Sequence, residues 1–344
     1  MNLRNPVFLC SALGSALVIA LANSAYAHHS GAAYDSRTEA TITGTVTYYS
    51  FRNPHVYMEL ERKLENGTTV KTEVEAGAAS VIGPLGFTRD ALKVGDVVNI
   101  VGNPGRVNPE GLFLGRELYK SDGTYYPLNI SSRPVDVDIT ESATSIAGTW
   151  FSPRTSFFGF LGGAREWQVT DKGRESMVTN GETPTPQKDC IPLGEPALLF
   201  YPVANVIEIF DDRVELHIDW LDSERVVWLD GRDHPPASET SLHGHSTGHF
   251  EGTALVVDST NFSFNPIGFS TSLSSGTGKH LTERFEISAD GKQMIYSGTM
   301  EDPEYLSAPV SWSGTWDYRP DMQPSNEMCD LETAQKFLDD EESP

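Results

Sequence analysis

Alternation of apolar and polar residues, broken at short intervals by turn formers, constrains the fold of this chain more than any other feature. In the first third it runs through residues 40–50, 54–62 and 69–75, with a strong Asn66-Gly67 hairpin turn before the last segment. Side chains on a strand point alternately to two faces, so each segment is typical of a half-buried β-strand. Turns that recur every eight to twelve residues or so indicate a barrel or sandwich. We therefore predict an all-β protein.

The order of elements in the first part of the chain predicts a small barrel. Residues 28–128 contain three such strands, then a short helical candidate at 76–83, then two further strands at 96–102 and 112–120. This order is that of an OB-type, five-stranded barrel. Residues 129–145 have no apolar period and are interpreted as a linker.

The second part predicts a larger antiparallel barrel of the calycin or lipocalin type over residues 146–329. Its predicted elements are strands at 146–150 and 167–170, a helical turn at 171–178, and a meander of strands at 206–210, 213–220, 225–231, 243–250, 255–262, 280–288 and 292–300. Strands at this spacing favour an antiparallel barrel or sandwich. A final helix carrying Cys329, Leu331, Ala334 and Phe337 is predicted, with its end and an acidic tail in residues 330–344.

Residues 1–27 are typical of a signal peptide. Arg4 supplies a positive start, residues 12–22 are apolar, and Ala25-Tyr26-Ala27 has the small-x-small pattern of a cleavage site. The apolar run is too short to span a membrane, and no later window is long enough. We expect cleavage after Ala27 and export to the periplasm.

The net charge of the chain indicates which classes of binding partner are not expected. The formal net charge is −23, with 48 acidic against 25 basic residues. Nucleic acids and anionic membranes select basic patches, so neither is an expected partner.

The cysteine count predicts one disulfide. Cleavage would leave Cys190 and Cys329, and an even number of cysteines in an oxidising compartment favours a bond between them. The alternative is a pair of buried thiols.

A histidine-rich segment at residues 243–262 predicts the most reactive part of the second barrel. It is interpreted as a hairpin in which one strand face carries His243, His245, Thr247 and His249. A two-residue turn at Glu251-Gly252 would place Asp258 opposite His245. A carboxylate beside an imidazole fixes its tautomer, which suits acid–base chemistry or metal ligation. The alternative is that these histidines line the wet face of a half-exposed sheet.

Further polar residues fall where strands begin or turns occur, and together with the hairpin they form a candidate catalytic set. Its members are His234, His245, Asp258, His280, Glu283 and Arg284. Histidine, carboxylate and arginine in one barrel cavity could abstract a proton and hold an anionic intermediate, as in lyases, hydratases and isomerases that need no cofactor. The alternative is that these residues are turn formers and surface ion pairs.

Several spaced motifs resemble a known family. The first half contains His28-His29-Ser30, T-x-x-G-T-V from Thr41, Asn53-Pro54-His55, and T-R-D-x-L-K-x-G-D from Thr88. Together these motifs resemble a secreted bacterial family of unknown function, number 6152 in the domain-family series. The second half resembles an exported barrel often fused to that family, through L-D-G-R-D-H-P at 229–235 and G-H-S-x-G-x-F-E-G at 244–252. The resemblance implies fold and compartment, and no activity.

The start of the mature chain predicts a metal site. After cleavage His28 would offer its α-amine and ring Nδ1 together, with His29 beside it and His55 at the start of a predicted strand. Nitrogen-rich ligation that includes an amine favours Cu(II) over other divalent first-row ions. The arrangement resembles the histidine brace of exported copper-handling proteins. The alternative is a frayed terminus with two ordinary histidines.

The sequence thus favours an exported two-domain β protein that binds copper at its mature N-terminus and a small, partly apolar molecule in its second barrel. Two other functions remain open: a lyase or isomerase in the second barrel, and a structural envelope protein. The sequence predicts no cofactor other than copper and leaves the oligomeric state open.

Overall fold

A computed structural model describes residues 33–132, 137–181, 189–269 and 273–336. His28 and His29 lie outside these residues, as does Phe337, which was expected on the last helix.

The first barrel is built from five strands, as predicted. Its elements are β1 (Ala40–Ser50), β2 (Tyr57–Lys63), β3 (Thr69–Glu75), α1 (Ala79–Ile82), β4 (Val97–Pro104) and β5 (Leu112–Lys120), followed by β6 (Tyr125–Pro127) on the edge of β5. A parallel pairing of β3 with β5, with Glu73 opposite Leu112, closes the sheet into a barrel. Alternate residues of β1, β2 and β4 fill its core, among them Val46, Met58 and Ile100.

The second barrel has nine strands among the described residues. Its elements are β7 (Gly148–Phe151), α2 (Arg154–Ala164), α3 (Asp171–Gly181), a 3-10 turn (Ala197–Phe200), β8 (Ala204–Ile209), β9 (Arg213–Ile218), β10 (Ser223–Trp228), β11 (His245–Glu251), β12 (Ala254–Thr260), β13 (His280–Ile287), β14 (Gln293–Glu301), β15 (Val310–Tyr318) and α4 (Leu331–Lys336). Each strand pairs with its neighbours in sequence, and β15 pairs with β7 to close the barrel. The all-β prediction and the two barrels are confirmed.

An odd number of strands explains the one departure from antiparallel order. Strands that alternate in direction around a ring close only in even numbers, so nine strands require one parallel pair. That pair is β10 with β11, and it covers only Val227 with Ser246 and Trp228 with Thr247. The connection at 229–244 crosses one end of the barrel to make it.

Some predicted elements differ from those observed. Residues 167–170 do not form a strand, and only Val169 makes an isolated bridge, with Leu306. The helical turn at 171–178 is present as α3, and Cys329 precedes α4 instead of lying on it. Helix α2 and strand β15 were not predicted.

The predicted disulfide joins Cys190 to Cys329, 139 residues apart in sequence. Cys329 lies in the segment 319–336, called here the C-terminal strap, which returns to the first barrel. Asn53 donates from Nδ2 to the Glu327 carbonyl at 2.7 Å, and Lys336 lies 3.5 Å from a Glu73 carboxylate oxygen. The predicted domain boundaries stay a prediction.

Candidate functional sites

Four of the six predicted catalytic residues meet on the outer wall of the second barrel. His245 and Asp258 lie on β11 and β12, His280 begins β13, and the 229–244 connection brings in His234. The Asp258 carboxylate bridges two rings, with Oδ2 2.7 Å from His280 Nε2 and Oδ1 3.0 Å from His234 Nε2. His234 Nδ1 then lies 2.9 Å from His245 Nδ1. The result is a hydrogen-bonded chain of four groups, called here the histidine relay.

The relay orders the protons along its length. An ionised Asp258 accepts from the Nε2–H of His234, so the Nδ1 of a neutral His234 carries a lone pair. That lone pair accepts from Nδ1–H of His245, which leaves Nε2 of His245 as the basic end. Burial is the main cause that lowers the pKa of His245, and a positive charge on His234 would lower it further. His245 is therefore neutral at pH 7 and able to take up a proton.

The hairpin register differs from the prediction. Glu251 pairs with Ala254, so the turn is Gly252-Thr253, and His245 faces Thr260 instead of Asp258. Asp258 lies opposite Thr247, two positions away on the same face. Asp258 therefore reaches His245 through His234 and not directly.

The first residue of the histidine segment was also assigned wrongly. Gly244 has φ +66°, so the alternation of β11 starts only after it, and His243 leaves the face of His245. His243 Nδ1 instead lies 3.0 Å from the Glu195 carboxylate. Burial, the largest single effect, would lower the pKa of His243, but the charge and the hydrogen bond of Glu195 together outweigh it and raise the pKa. His249 remains on the exposed part of β11, 3.6 Å from Glu251.

The prediction that Glu283 shares a cavity with His245 and His280 is wrong. Position 283 is buried on β13 between the outward positions 282 and 284, so Glu283 points into the barrel, away from the relay. There the carboxylate forms a two-pronged ion pair with Arg225, and Tyr296 donates its hydroxyl to Glu283 at 2.7 Å. Arg284 points outward and pairs with Glu251 and Glu286.

Arg225 organises a polar network that the sequence analysis missed. Besides Glu283, its guanidinium donates to Ser246 at 3.1 Å and to Ser259 at 2.7 Å, and only 2% of Arg225 is exposed. The missed signal was a charged residue on the inward period of β10, between the buried Ser223 and Val227.

A second buried charge lies near this network. Lys279 donates from Nζ to the Glu195 carbonyl at 2.8 Å and lies over the Phe262 ring at 4.0 Å. Burial lowers the pKa of Lys279 to about 8, although the Glu195 and Asp302 carboxylates oppose that shift.

A cavity of about 230 Å³ opens beside the relay. It lies where the short parallel pairing of β10 with β11 leaves little backbone to seal the wall. Its lining contains one residue of the histidine relay, His245, and two of the Arg225 network, Arg225 and Ser246. Trp228, Ser241 and His243 also line it. A small polar molecule in this cavity would contact one end of the relay and the buried guanidinium.

On the first barrel, His55 is held by a buried carboxylate. Its Nδ1 lies 3.0 Å from Oε1 of Glu75, which is 1% exposed, and Tyr34 donates its hydroxyl to the other oxygen at 2.8 Å. Burial alone would lower the pKa of His55, but Glu75 raises it. His55 does not begin a strand as expected, since β2 starts at Tyr57, and it lies in the preceding turn with 28% of its side chain exposed.

The described residues contain no group of three or more histidine, cysteine, aspartate and glutamate side chains placed to hold a metal ion. In the same part of the chain, no helix has the length and apolarity needed to cross a membrane.

These features define a two-barrel, disulfide-linked β protein with an OB-like barrel at its N-terminal end. The model of DUF6152, a family of unknown function, matches residues 16–113, which confirms the resemblance of the N-terminal part of the chain to that family. A comparison with curated proteins finds no match.

Proposed function

We propose that this protein is exported to the periplasm and binds Cu(II) on its first barrel, through the α-amine and ring of His28 and the ring of His55, with His29 beside them. The observation that carries the proposal is the contact of His55 Nδ1 with the buried Glu75 carboxylate. A metal-binding histidine usually donates its other ring N–H to a carboxylate, which fixes its tautomer and orientation. Glu75 supplies that carboxylate here and directs Nε2 of His55 to the metal.

The position of Tyr34 supports this ligand set. Its hydroxyl shares the Glu75 carboxylate with His55, so the chain passes beside His55 only six residues after His28. Six residues span at most about 20 Å, so the chain is long enough for His28 to reach His55. An α-amine with an unperturbed pKa of about 8 gives up its proton to a metal near neutral pH.

Competitive Cu(II) titration of the exported, cleaved protein tests this proposal. We expect at least tenfold weaker binding in His55→Ala, and a similar loss when one residue is added before His28, because the amine then leaves the chelate. Glu75→Gln should weaken binding about tenfold through loss of its carboxylate charge. His217→Ala is the matched control, since His217 lies on β9 with 30% of its side chain exposed. The copper affinity of this variant should equal that of the wild type.

The extended form separates a lost ligand from a damaged fold, because it alters no residue of either barrel. Equal copper affinity in wild type, His55→Ala and the extended form would exclude the site. Elemental analysis of protein taken from its native compartment should find close to one copper per chain.

A second candidate function is acid–base catalysis at the histidine relay. The observation that favours it is the contact of four polar groups with one another beside the 230 Å³ cavity. His245 would remove a proton from a bound molecule, and His234 with Asp258 would stabilise the imidazolium that forms. Such a site fits a lyase, hydratase or isomerase that needs no cofactor.

The relay predicts which nitrogen of His245 carries the proton. Nitrogen NMR of the neutral side chain should show the Nδ1–H tautomer in wild type, and His234→Ala should release it. Solvent deuterium exchange into a panel of small carbonyl acids should depend on His245 and not on His217. An Nε2–H tautomer in the wild type, or exchange unchanged in His245→Ala, would rule out this role.

Binding of a small, partly apolar molecule is the remaining part of the proposed function. The described lumen of the second barrel is packed with aromatic side chains, including Trp150, Phe200, Phe285, Tyr296 and Trp316, all essentially without exposure. The ligand therefore needs a site outside that packed core. A chain that binds neither copper nor small molecules would favour the structural role.

A further inference from the structure

A cleft of about 760 Å³ lies between the two barrels. One side is formed by Val81 and Leu85 at the end of α1, and the other by Phe151 and Tyr318 at the joined edges of β7 and β15. Residues 137–139, which lie within the predicted linker 129–145, form part of its rim. Sites for small molecules typically measure about 300 to 1,000 Å³ and occur preferentially where domains meet.

The lining of this cleft is mainly apolar. Besides the four residues just named, Ile130, Val137, Ile139, Pro153 and Pro202 contribute apolar surface. Val137 is 47% exposed, so a bound apolar group that covered it would gain free energy by removing apolar surface from water. The cleft therefore fits a hydrocarbon or aromatic body.

The charged groups of the cleft are mostly cationic, in contrast to the net charge of −23 on the whole chain. Arg154, Lys292 and Arg319 face two carboxylates, Asp138 and Asp317. Arg319 is occupied by a two-pronged ion pair with Asp321 outside the cleft. Among the described residues, neither Arg154 nor Lys292 forms an ion pair with a carboxylate, and Arg154 donates from its guanidinium to the Ile130 carbonyl at 3.4 Å. Asp138 and Asp317 balance these two cations in number but are not paired with them.

Two local features make the part of the cleft beside Arg154 suited to an anion. Arg154 is the first residue of α2, a helix of 11 residues whose start has no side-chain cap, and Pro153, Arg154 and Thr155 at that start line the cleft. The uncapped first N–H groups and the positive end of the helix dipole therefore lie beside Arg154. Lys292 donates to the carbonyls of Ile139, Thr140 and Glu141, at 2.9, 2.7 and 2.6 Å, which fixes the ammonium at the rim.

We propose that the cleft binds a small amphipathic acid, with the apolar body between α1 and β15 and the carboxylate against Arg154 and the start of α2. The inference rests on the ligand-binding part of the proposed function and is independent of the copper site. Because the acid would contact both barrels, binding would also stabilise their arrangement relative to each other.

Calorimetric and fluorescence titration with 1-pyrenebutyrate and its neutral amide tests this inference on the full mature chain. We expect one binding site, with tighter binding of the carboxylate. Arg154→Gln should weaken the carboxylate about tenfold and leave the amide unchanged, since only the charge-assisted contact is lost. Leu85→Trp should block both probes by filling the cleft. The controls are Arg37→Gln and Leu331→Trp, both at exposed positions away from the cleft.

Each remaining outcome contradicts the inference in a different way. Binding that survives Leu85→Trp would keep the ligand-binding function and place it elsewhere. Equal affinity for the acid and the amide, or equal weakening of both by Arg154→Gln, would remove the anion-binding role of this end. Binding of neither probe would overturn both the inference and the ligand-binding function. The copper proposal would be unaffected, because the copper titration tests it separately.

Discussion

At the residue scale, the ion pair of Arg225 with Glu283 shows how the second barrel accommodates charge in its interior. Both side chains are at most 2% exposed, and two serines and a tyrosine provide further hydrogen bonds to the pair. A buried pair of this kind adds little net stability, but removing one partner leaves the other charge unpaired in a low dielectric.

Glu283→Gln should therefore destabilise the protein by about 3 to 5 kcal/mol, because the Arg225 charge stays buried without compensation. The free energy of unfolding in urea measures this effect. Glu286→Gln is the control, since Glu286 is 49% exposed on the same strand, and it should change stability by less than about 0.5 kcal/mol. Similar values for the two variants would show that the buried pair is not required.

His245 and Asp258 of the relay could be predicted to share a face because an error of two positions in register does not change the face to which a strand residue points. The true pairing differs from the predicted one by two positions, and a shift of two keeps His245 and Asp258 on one face. The role of His234 as the bridge could not be predicted, since it depends on the path of a long connection. Glu283 was misplaced because a list of polar residues does not distinguish the two faces of β13.

At the element scale, Gly314 determines how the second barrel is filled. A Cβ at this position of β15 would lie 2.4 Å from the ring of Phe200, which enters the lumen from the 3-10 turn at Ala197–Phe200. Phe200 then packs against Tyr296 on one side and stacks on Phe160 of α2 at 4.4 Å between ring centroids. The glycine thus allows α2 and the 3-10 turn to close this part of the barrel.

Gly314→Ala should destabilise the protein by about 1 to 3 kcal/mol, because the added methyl group displaces Phe200. Gly159→Ala is the matched substitution on α2, where nothing lies within 4 Å of the new Cβ. It should instead stabilise the protein by about 0.5 to 1 kcal/mol through helix propensity. Thermal and urea unfolding of the two variants measure the sign of each change in stability. An unchanged stability in Gly314→Ala would contradict the packing described here.

The elements that sequence patterns missed are those with weak local signals. Helix α2 contains three glycines and is stabilised by tertiary contacts, such as Ser156 Oγ donating to the Thr315 carbonyl at 2.9 Å. Strand β15 has a glycine at the centre of its alternation. Residues 167–170 have strand composition but find no neighbouring edge except at Val169. Strands with regular alternation and clear turns, such as β3 and β5, were predicted at their observed bounds.

At the scale of the whole molecule, the C-terminal strap links the second barrel to the first through a proton-sensitive contact. Asp219, just after β9, accepts from the backbone N–H of Ser325 at 2.7 Å and from its hydroxyl at 3.0 Å. Burial raises the pKa of Asp219 from 3.8 to about 7, although these hydrogen bonds oppose the shift. The folded chain therefore holds this proton more tightly than the unfolded chain does.

The sign of the resulting pH dependence follows from that difference. Below pH 4 or so Asp219 is protonated in both states, and between about pH 4 and pH 7 only the folded state keeps the proton, so stability from this group falls as pH rises. The loss amounts to about 4 kcal/mol at most. Asp219→Asn should remove it, so that the variant is more stable than wild type at pH 8 and equal to it near pH 4. Urea unfolding across this range checks the prediction, with the exposed Asp222→Asn as control; parallel curves for wild type and Asp219→Asn would contradict it.

We propose that His55 and the mature N-terminus bind one Cu(II) ion together. Electron paramagnetic resonance of the exported, cleaved protein with one equivalent of Cu(II) tests this claim most directly, because nitrogen ligands split the signal. We expect coupling to the amine and ring of His28 and to the ring of His55, reduced by one nitrogen in His55→Ala and unchanged in His217→Ala. A spectrum dominated by oxygen ligands, or one that His55→Ala leaves unaltered, would contradict it.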